Sequence, residues 1–191
     1  MTRMLIIGPP GSGKGTQASQ ISSRLGIPAI STGDIFRLNV REATPLGIEA
    51  KKYMDRGDYV PDSVTNSMVR DRLAAPDVAG GFLLDGYPRT LDQVRELDDI
   101  LASNAVSLDV VLQLTADDEE LVKRLKGRAA TDGRSDDSED VIRHRLALYH
   151  SETEPVVSAY DSRGIVVQVD GIGAIDEVTD RVMVALSAAL A

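Results

Sequence analysis

The sequence predicts an α/β protein built on an open, doubly wound, five-stranded parallel sheet with helices on both faces. Five short segments are continuous apolar runs, which is typical of parallel strands that are covered on both sides. These runs alternate with segments of helical periodicity along the 191 residues. Because crossovers between parallel strands are right-handed, the carboxyl ends of all five strands are expected at one edge of the sheet.

Composition limits the kinds of partner. With 42% hydrophobic but only 4% aromatic residues, the core must consist mainly of aliphatic side chains, and the length fits one domain. The net charge of −9 argues against a general surface for nucleic acid or anionic membranes. Any site for a polyanion must therefore be locally basic.

The absence of cysteine excludes disulfides, thiolate catalysis and cysteine-bound zinc. The only two histidines, His144 and His150, are too few for a histidine metal cage. The first apolar run, residues 4–7, is too short for a signal peptide or a membrane span. We therefore expect a cytoplasmic protein with neither a nucleic-acid nor a membrane partner.

The first strand is followed at residues 8–16 by Gly-Pro-Pro-Gly-Ser-Gly-Lys-Gly-Thr, which predicts a phosphate-binding loop. Glycines let backbone N–H groups wrap around phosphate oxygens, and the following helix N-terminus adds partial positive charge. Lys14 offers a charge to the outer phosphates, and Thr16 offers a hydroxyl to Mg²⁺. A plain Gly/Pro turn would leave Lys14 unexplained. Gly15 departs from the general pattern, because it separates Lys14 from the hydroxyl residue.

The next segments are expected to be a helix at residues 16–25 that ends at Gly26, and a short strand at residues 27–30. Ser-Thr-Gly-Asp at residues 31–34 then begins a helix that carries Arg37. Taken alone, that tetrapeptide is usually only a helix cap.

Two more helices follow without a strand between them, one at residues 46–56 and one capped by Asp62, so an inserted flap is expected here. The chain returns to the sheet at residues 81–85, and this strand ends on Asp85. An acid at that point, beside a phosphate loop, is placed to hold Mg²⁺ or its waters. An ordinary Asp-Gly turn is the alternative.

A helix capped by Thr90 places Arg89 and Gln93 at the edge of the sheet where ligands bind in α/β proteins. A strand at residues 108–114 and a helix at residues 117–126 follow. The polar residues 127–138 then predict a mobile surface loop.

The last part of the chain begins with a long helix from Glu139, in which Pro155 predicts a break or restart. A final strand at residues 165–169 leads into an Asp-Gly-Ile-Gly turn and a closing helix.

Over its whole length the chain resembles the adenylate kinases, within the P-loop nucleoside monophosphate kinases. The most specific matches are residues 8–16, residues 31–34 with Arg37, and residues 85–89 with Gln93; Gly15 is the normal form in this family. The resemblance implies a P-loop kinase fold in which residues 1–191 form a single domain. Residues 31–60 would be a monophosphate-binding insert, and residues 127–138 a short lid.

The resemblance also implies reversible, Mg²⁺-dependent transfer of the ATP γ-phosphoryl group to AMP, giving two ADP without a covalent intermediate. The ATP site would comprise Gly11, Ser12, Gly13, Lys14, Gly15, Thr16, Arg128 and Gly173. The AMP site would comprise Thr32, Arg37, Asp58, Tyr59, Val60, Gly86, Tyr87, Pro88, Arg89, Gln93, Arg134 and Arg145. The catalytic cations would be Lys14, Arg89, Arg128, Arg134 and Arg145. Mg²⁺ would be held by Asp85 through water, with Thr16 as a second candidate.

Two departures qualify the resemblance. Relatives often carry other side chains at Asp58 and Tyr59, so only a main-chain role is inferred for that pair. The lid lacks the long insert that carries zinc in some relatives, so no structural zinc is expected. A monomer is expected, as is common in the shorter members of the family.

The sequence counts against three alternative functions. A UMP or CMP kinase would usually carry Ala and Asn in place of Thr32 and Gln93. A GTPase would carry an Asn-Lys-x-Asp segment, which this sequence lacks. A purely structural domain would have no need of Lys14, Asp85 and Arg89 together.

Overall fold

The predicted strands form one parallel sheet. They are β1 (Thr2–Ile7), β2 (Ala29–Ser31), β3 (Gly81–Asp85), β4 (Val110–Thr115) and β5 (Val166–Asp170), in the order β2-β3-β1-β4-β5. The computed structural model describes residues 1–132, 136 and 138–191. The fold class predicted from the sequence is confirmed, and the strand ends differ from the predicted ones by a few residues.

The register of the sheet brings the sequence motifs to one edge. Asp85 at the end of β3 pairs with Ile6 in β1 on one side and with Ser31 in β2 on the other. Since all these strands are parallel, the segments that follow them leave the sheet on the same side. The glycine-rich loop, the Asp85 turn and the Thr32 turn are therefore neighbours in space.

Helices cover both faces of the sheet, as continuous apolar strands require. They are α1 (Lys14–Leu25), α2 (Thr32–Arg41), α3 (Pro45–Met54), α4 (Asp62–Leu73), α5 (Leu91–Ser103), α6 (Asp118–Asp132), α7 (Glu139–Leu148), α8 (Glu154–Asp161) and α9 (Ile175–Ala189). Met4 and Ile6 of β1 pack with residues of α1 and α9, whereas Leu5 and Ile7 pack with residues of α5 and α8. Among the residues that the structure describes, no helix is long and apolar enough to cross a bilayer.

Two smaller cores lie outside the sheet. Phe36 of α2, Ala50 of α3 and the loop residue Val60 form one, so the segment between β2 and β3 has apolar packing of its own. Leu121 and Leu125 of α6 pack against residues of α7 to form the other. A π-helical turn, Tyr149–Thr153, joins α7 to α8 just before Pro155, which confirms the predicted break.

Two local predictions are wrong. Asp62 does not cap α4, because Pro61 occupies the N-cap position and the Asp62 side chain makes bonds elsewhere. The loop predicted from residue 127 is helical as far as Asp132 in α6. Arg128 and the two alanines after it are good helix formers, and they carry the helix past Gly127.

Candidate active site

The glycine-rich loop connects β1 to α1 and leaves the N-terminus of that helix open. Gly11 and Gly13 have φ angles of 87° and 91°, which other residues rarely adopt. Gly13 is the N-cap of α1 and supplies no side-chain bond to the first helical N–H groups. A Cβ on Gly15 would meet no described atom within 4 Å. Gly15 is thus not required for packing, and together these residues leave an anion-binding helix end uncovered.

Lys14 is folded back onto the loop. Its Nζ donates hydrogen bonds to the carbonyl oxygens of Gly8 at 2.7 Å and Pro9 at 2.9 Å. Burial of the ammonium group lowers the pKa of Lys14 from 10.5 to about 8; Asp85 opposes this shift, and nearby arginines add to it. The cationic form is costly here, which makes the site favourable for added negative charge.

A cavity of about 1290 Å³, the central cavity, lies over the glycine-rich loop. It brings together most of the residues predicted to hold ATP and the transferred phosphate. Those in its lining are Gly11, Gly13, Lys14, Gly15, Thr16, Arg37, Asp85, Gly86, Arg89, Arg128 and Arg145.

The sequence interpretation missed Arg124, which also lines the central cavity. Its guanidinium donates to the Gly171 carbonyl at 3.0 Å and pairs with Glu120 at 2.9 Å. Arg124 and Arg128 are four residues apart on α6 and so share a helix face. Extending the predicted helix past Gly127 would have found this pair.

Asp85 and Thr16 supply oxygen ligands to the central cavity. Asp85 is 9% exposed and is the last residue of β3. Carboxylate and hydroxyl oxygens suit Mg²⁺, which usually keeps several waters and phosphate ligands rather than filling a cage made of protein. The described residues contain no cluster of three acidic or histidine side chains that could enclose a metal. The chemistry of these donors therefore fits Mg²⁺ that arrives with phosphate.

A second cavity of about 570 Å³, the insert cavity, lies between the α2–α4 segment and the sheet. Of the predicted AMP-site residues, its lining contains Thr32, Arg37, Asp58, Tyr59, Val60, Gly86, Arg89, Gln93 and Arg145. The Thr32 hydroxyl donates to the Gly86 carbonyl at 2.9 Å. Arg37, Arg89 and Arg145 also line the central cavity, so the two cavities share three cationic side chains.

Gln93 is fixed at the back of the insert cavity and is only 2% exposed. Its Oε1 accepts the Arg89 backbone N–H at 2.7 Å, and its Nε2 donates to Asp62 Oδ1 at 2.6 Å. Its backbone N–H donates to the capping Thr90 hydroxyl at 3.2 Å. The role of Asp62 in this network could not be inferred from its place in the sequence, where it resembled a helix cap.

The side chain of Tyr59 is also engaged, beyond the main-chain role inferred from sequence. The Arg89 guanidinium carbon lies 5.0 Å from the centre of its ring. Its hydroxyl is 2.8 Å from the hydroxyl of Thr153, which donates to the Arg89 carbonyl at 3.0 Å. Because Thr153 has one hydroxyl hydrogen, Tyr59 must be the donor to Thr153. Tyr59 thus contacts Arg89 directly and is linked to its backbone through Thr153.

The remaining predicted residues have different surroundings. Tyr87 and Pro88 line a third cavity of about 480 Å³, which also contains Lys14 and Arg89. Burial raises the pKa of Tyr87, whose hydroxyl donates to Asn66 at 2.9 Å. Ser12 is buried within the loop.

Three further residues complete the predicted site. Asp58 pairs with Arg56 and His144 at the end of the insert, and its pKa is lowered mainly by the Arg56 hydrogen bond. Gly173 lies in the β5–α9 connection, outside the described lining of the central cavity. Arg134 lies outside the described residues, so its role stays a prediction.

Comparison with known proteins identifies one family. A family model described as adenylate kinase matches residues 6–165. The adenylate kinase of Pseudarthrobacter chlorophenolicus is 75% identical over 191 residues, which cover 100% of both chains. That of Renibacterium salmoninarum is 74% identical over 97% of this chain and 96% of its own. The adenylate kinase of Kocuria rhizophila is 69% identical over 97% of this chain and 99% of its own.

Proposed function

The chain belongs to the adenylate kinase family, and on that premise we propose that it transfers the γ-phosphoryl group of Mg²⁺-bound ATP directly to AMP, giving two ADP. It is a nucleoside monophosphate kinase that transfers phosphoryl groups between adenine nucleotides. The observation that carries the finer proposal is the sharing of Arg37, Arg89 and Arg145 between the central and insert cavities. Two nucleotides bound in these cavities would have their phosphates meet at the shared arginines.

We assign the donor nucleotide to the central cavity. The open N-terminus of α1 and the backbone N–H groups of the loop would bind the β-phosphate. Lys14 would leave the Gly8 and Pro9 carbonyls for phosphate oxygens, because a phosphate offers the buried ammonium a full negative charge. Arg128 would lie beside the donor nucleotide, with the backbone at Gly173 at its adenine.

We assign the acceptor AMP to the insert cavity. Thr32 and Gln93 would face its adenine, and the shared arginines would bind its phosphate. Residues 31–60 would then be the monophosphate-binding insert within the single domain of residues 1–191, which their separate packing around Phe36 supports. Residues 127–138 would be the lid.

The proposed transfer is in line and has no covalent protein intermediate, so the protein acts by positioning and charge. The bond between the ATP β–γ bridging oxygen and the γ-phosphorus breaks as an AMP phosphate oxygen bonds to that phosphorus. Lys14 and the shared arginines would neutralise the charge on the transferred group. Closure over both cavities would exclude water, which could otherwise accept the phosphoryl group. We expect Arg134 to reach the phosphates from the lid.

Asp85 and Thr16 would hold Mg²⁺, Asp85 through water. The ion supplies charge neutralisation at the ATP phosphates when it is bound. No structural zinc is proposed. We further propose that the enzyme acts as a monomer in the cytoplasm.

The acceptor assignment can be tested with Mg²⁺-ATP and single monophosphates in an assay coupled to ADP release. AMP should exceed CMP and UMP in kcat/KM by a large factor, because a site built to hydrogen-bond one base leaves polar groups unpaired with another. Equal or better use of UMP would instead favour a pyrimidine nucleotide kinase. A structure with a bisubstrate analogue would test the two-cavity assignment and each arginine at once.

A further inference from the structure

The amide of Gln93 lies between two groups of opposite hydrogen-bonding type. The Arg89 backbone N–H can only donate, and it faces Oε1 at 2.7 Å. The Asp62 carboxylate can only accept, and it faces Nε2 at 2.6 Å. Rotating the amide by a half turn would set donor against donor and acceptor against acceptor. The chemistry of the neighbours therefore fixes which way the amide points.

That orientation matters because a glutamine whose amide can rotate forms hydrogen bonds equally well with two kinds of purine. The Watson–Crick edge of a 6-aminopurine offers a donor at N6 and an acceptor at N1, whereas a 6-oxopurine offers an acceptor at O6 and a donor at N1. A glutamine that can rotate by a half turn matches either pattern. Gln93 keeps one lone pair on Oε1 and one N–H on Nε2 beyond the two bonds described, so it can still bind a base edge.

We propose that Asp62, together with the Arg89 backbone N–H, locks the Gln93 amide so that the acceptor site takes 6-aminopurine and rejects 6-oxopurine monophosphates. This inference rests on the proposed assignment of AMP to the insert cavity. Asp62 is a positioning residue in it, because it acts through Gln93 rather than on the nucleotide.

The setting of Asp62 supports this role. It occupies the first turn of α4, yet that helix has no side-chain cap bond, so its carboxylate is available for bonds outside its own helix. Its Oδ2 accepts from the Thr90 hydroxyl at 2.8 Å, and Thr90 caps the helix that carries Gln93. Both carboxylate oxygens thus bind the start of α5 and hold the amide of Gln93 relative to its own backbone.

The test compares AMP with inosine monophosphate as acceptors for Mg²⁺-ATP and reports the ratio of their kcat/KM values. In Asp62→Asn the new amide can donate to the Oε1 of a rotated Gln93. This removes one of the two interactions that fix the Gln93 amide, and the Arg89 N–H remains as the other. We expect the ratio to fall at least about 10-fold, with an absolute gain in kcat/KM for inosine monophosphate, because removing one lock bond is comparable to losing one charged hydrogen bond. A purely structural role would lower both activities together and leave the ratio unchanged.

Asp98→Asn is the matched control. It makes the same charge change on α5, where Asp98 pairs with Arg163 at the surface, and the ratio should stay within about twofold of wild type. An unchanged ratio in folded Asp62→Asn, judged by its melting curve, would overturn the lock. An equal fall in Asp98→Asn would overturn it too, since the effect would then be one of charge alone.

Gln93→Leu separates this inference from the proposed function. If the ratio collapses in Gln93→Leu but not in Asp62→Asn, the acceptor assignment is supported and the lock is wrong. If Gln93→Leu leaves the ratio unchanged, the base does not face Gln93, and both the acceptor assignment and the lock fail.

Discussion

The central and insert cavities are built in different ways. In the central cavity, one continuous segment, residues 10–16, contributes backbone and the N-terminus of α1, and cationic side chains from other elements complete the lining. In the insert cavity, the lining residues Tyr59 and Gln93 are held by side chains of other elements, Tyr59 by Thr153 of the π-helical turn and Gln93 by Asp62 of α4. On the proposed assignment, the phosphates of the donor would be bound in large part by the main chain of one short motif, whereas the acceptor base would need side chains held by several elements.

The largest effect is expected when Lys14, the single charged residue of the glycine-rich loop, is replaced. Lys14→Met should lower kcat by about 10²–10³-fold, on the scale of removing one preorganised donor. The fold should survive, because the bonds of the Lys14 ammonium described above go to loop carbonyls and Lys14 belongs to none of the described apolar cores. Steady-state kinetics measures kcat, and a melting curve shows whether the variant is folded. Turnover close to wild type would contradict the proposed role of Lys14.

A smaller effect is expected from a variant that disturbs the insert cavity but not the central cavity. In Gly47→Ala the new Cβ would lie 2.0 Å from the Asn39 carbonyl oxygen, so α2 and α3 must move apart. We expect KM for AMP to rise by about 10-fold or more, since small displacements of binding groups are costly. KM for ATP should change by less than about twofold, as the loop is held by β1 and α1.

Gly80→Ala is the control for Gly47→Ala, because a Cβ there would meet no described atom within 4 Å and Gly80 lines neither cavity. Both KM values of the control should stay within about twofold of wild type, as expected for a surface substitution. Equal changes in the two KM values of Gly47→Ala would show that the cavities are not separable in this way.

Variants of Tyr59 test whether its side chain positions Arg89, one of the three arginines that line both cavities. Tyr59→Phe keeps the ring against Arg89 but loses the bond to Thr153, and KM for AMP should rise about 3–10-fold, as expected for one neutral hydrogen bond. Tyr59→Leu also loses the cation–π contact, which adds about 0.5–2 kcal/mol. If both variants have the same KM, the ring has no role in positioning Arg89.

The smallest expected effect is the pH dependence of donor binding. With the pKa of Lys14 lowered to about 8, kcat/KM for ATP should be roughly half its plateau at pH 8 and fall further above it. At saturating ATP, kcat should hold to higher pH because bound phosphates stabilise the ammonium form. A flat kcat/KM profile to pH 9 would contradict the burial of Lys14.

The same titration should appear in stability, with a defined sign. The folded-state pKa of Lys14 lies below its unfolded value of 10.5, so the unfolded chain holds the proton more tightly between about pH 8 and that value. Burial of the charged lysine therefore lowers the free energy of unfolding below pH 8. The free energy of unfolding should therefore rise as the pH increases from about 8 towards 10.5. Lys14→Met should lack this rise when unfolding by denaturant is measured across the same pH range.

The difference between the cavities also explains what the sequence could predict. That Lys14, Thr16 and Asp85 lie together could be predicted because each belongs to a strand-to-helix motif, and parallel strands end at one edge. Asp62, Thr153 and the side chain of Tyr59 were missed because their partners are far away in sequence. The helix face shared by Arg124 and Arg128 was missed for a local reason, since the predicted helix ended at residue 126, before Arg128.

The strand order has a consequence for how this enzyme is made. β1 carries the glycine-rich loop, yet it lies between β3 and β4, which follow much later in the chain. During synthesis the loop therefore leaves the ribosome well before β3 and β4, the two strands that flank β1. Pairing between strands so far apart in sequence is slow to form. A nascent chain that ends before Val110 lacks one of the two neighbours of β1. Capture on immobilised nucleotide should then distinguish finished molecules from incomplete translation products, and nucleotide in the cell stabilises only the former.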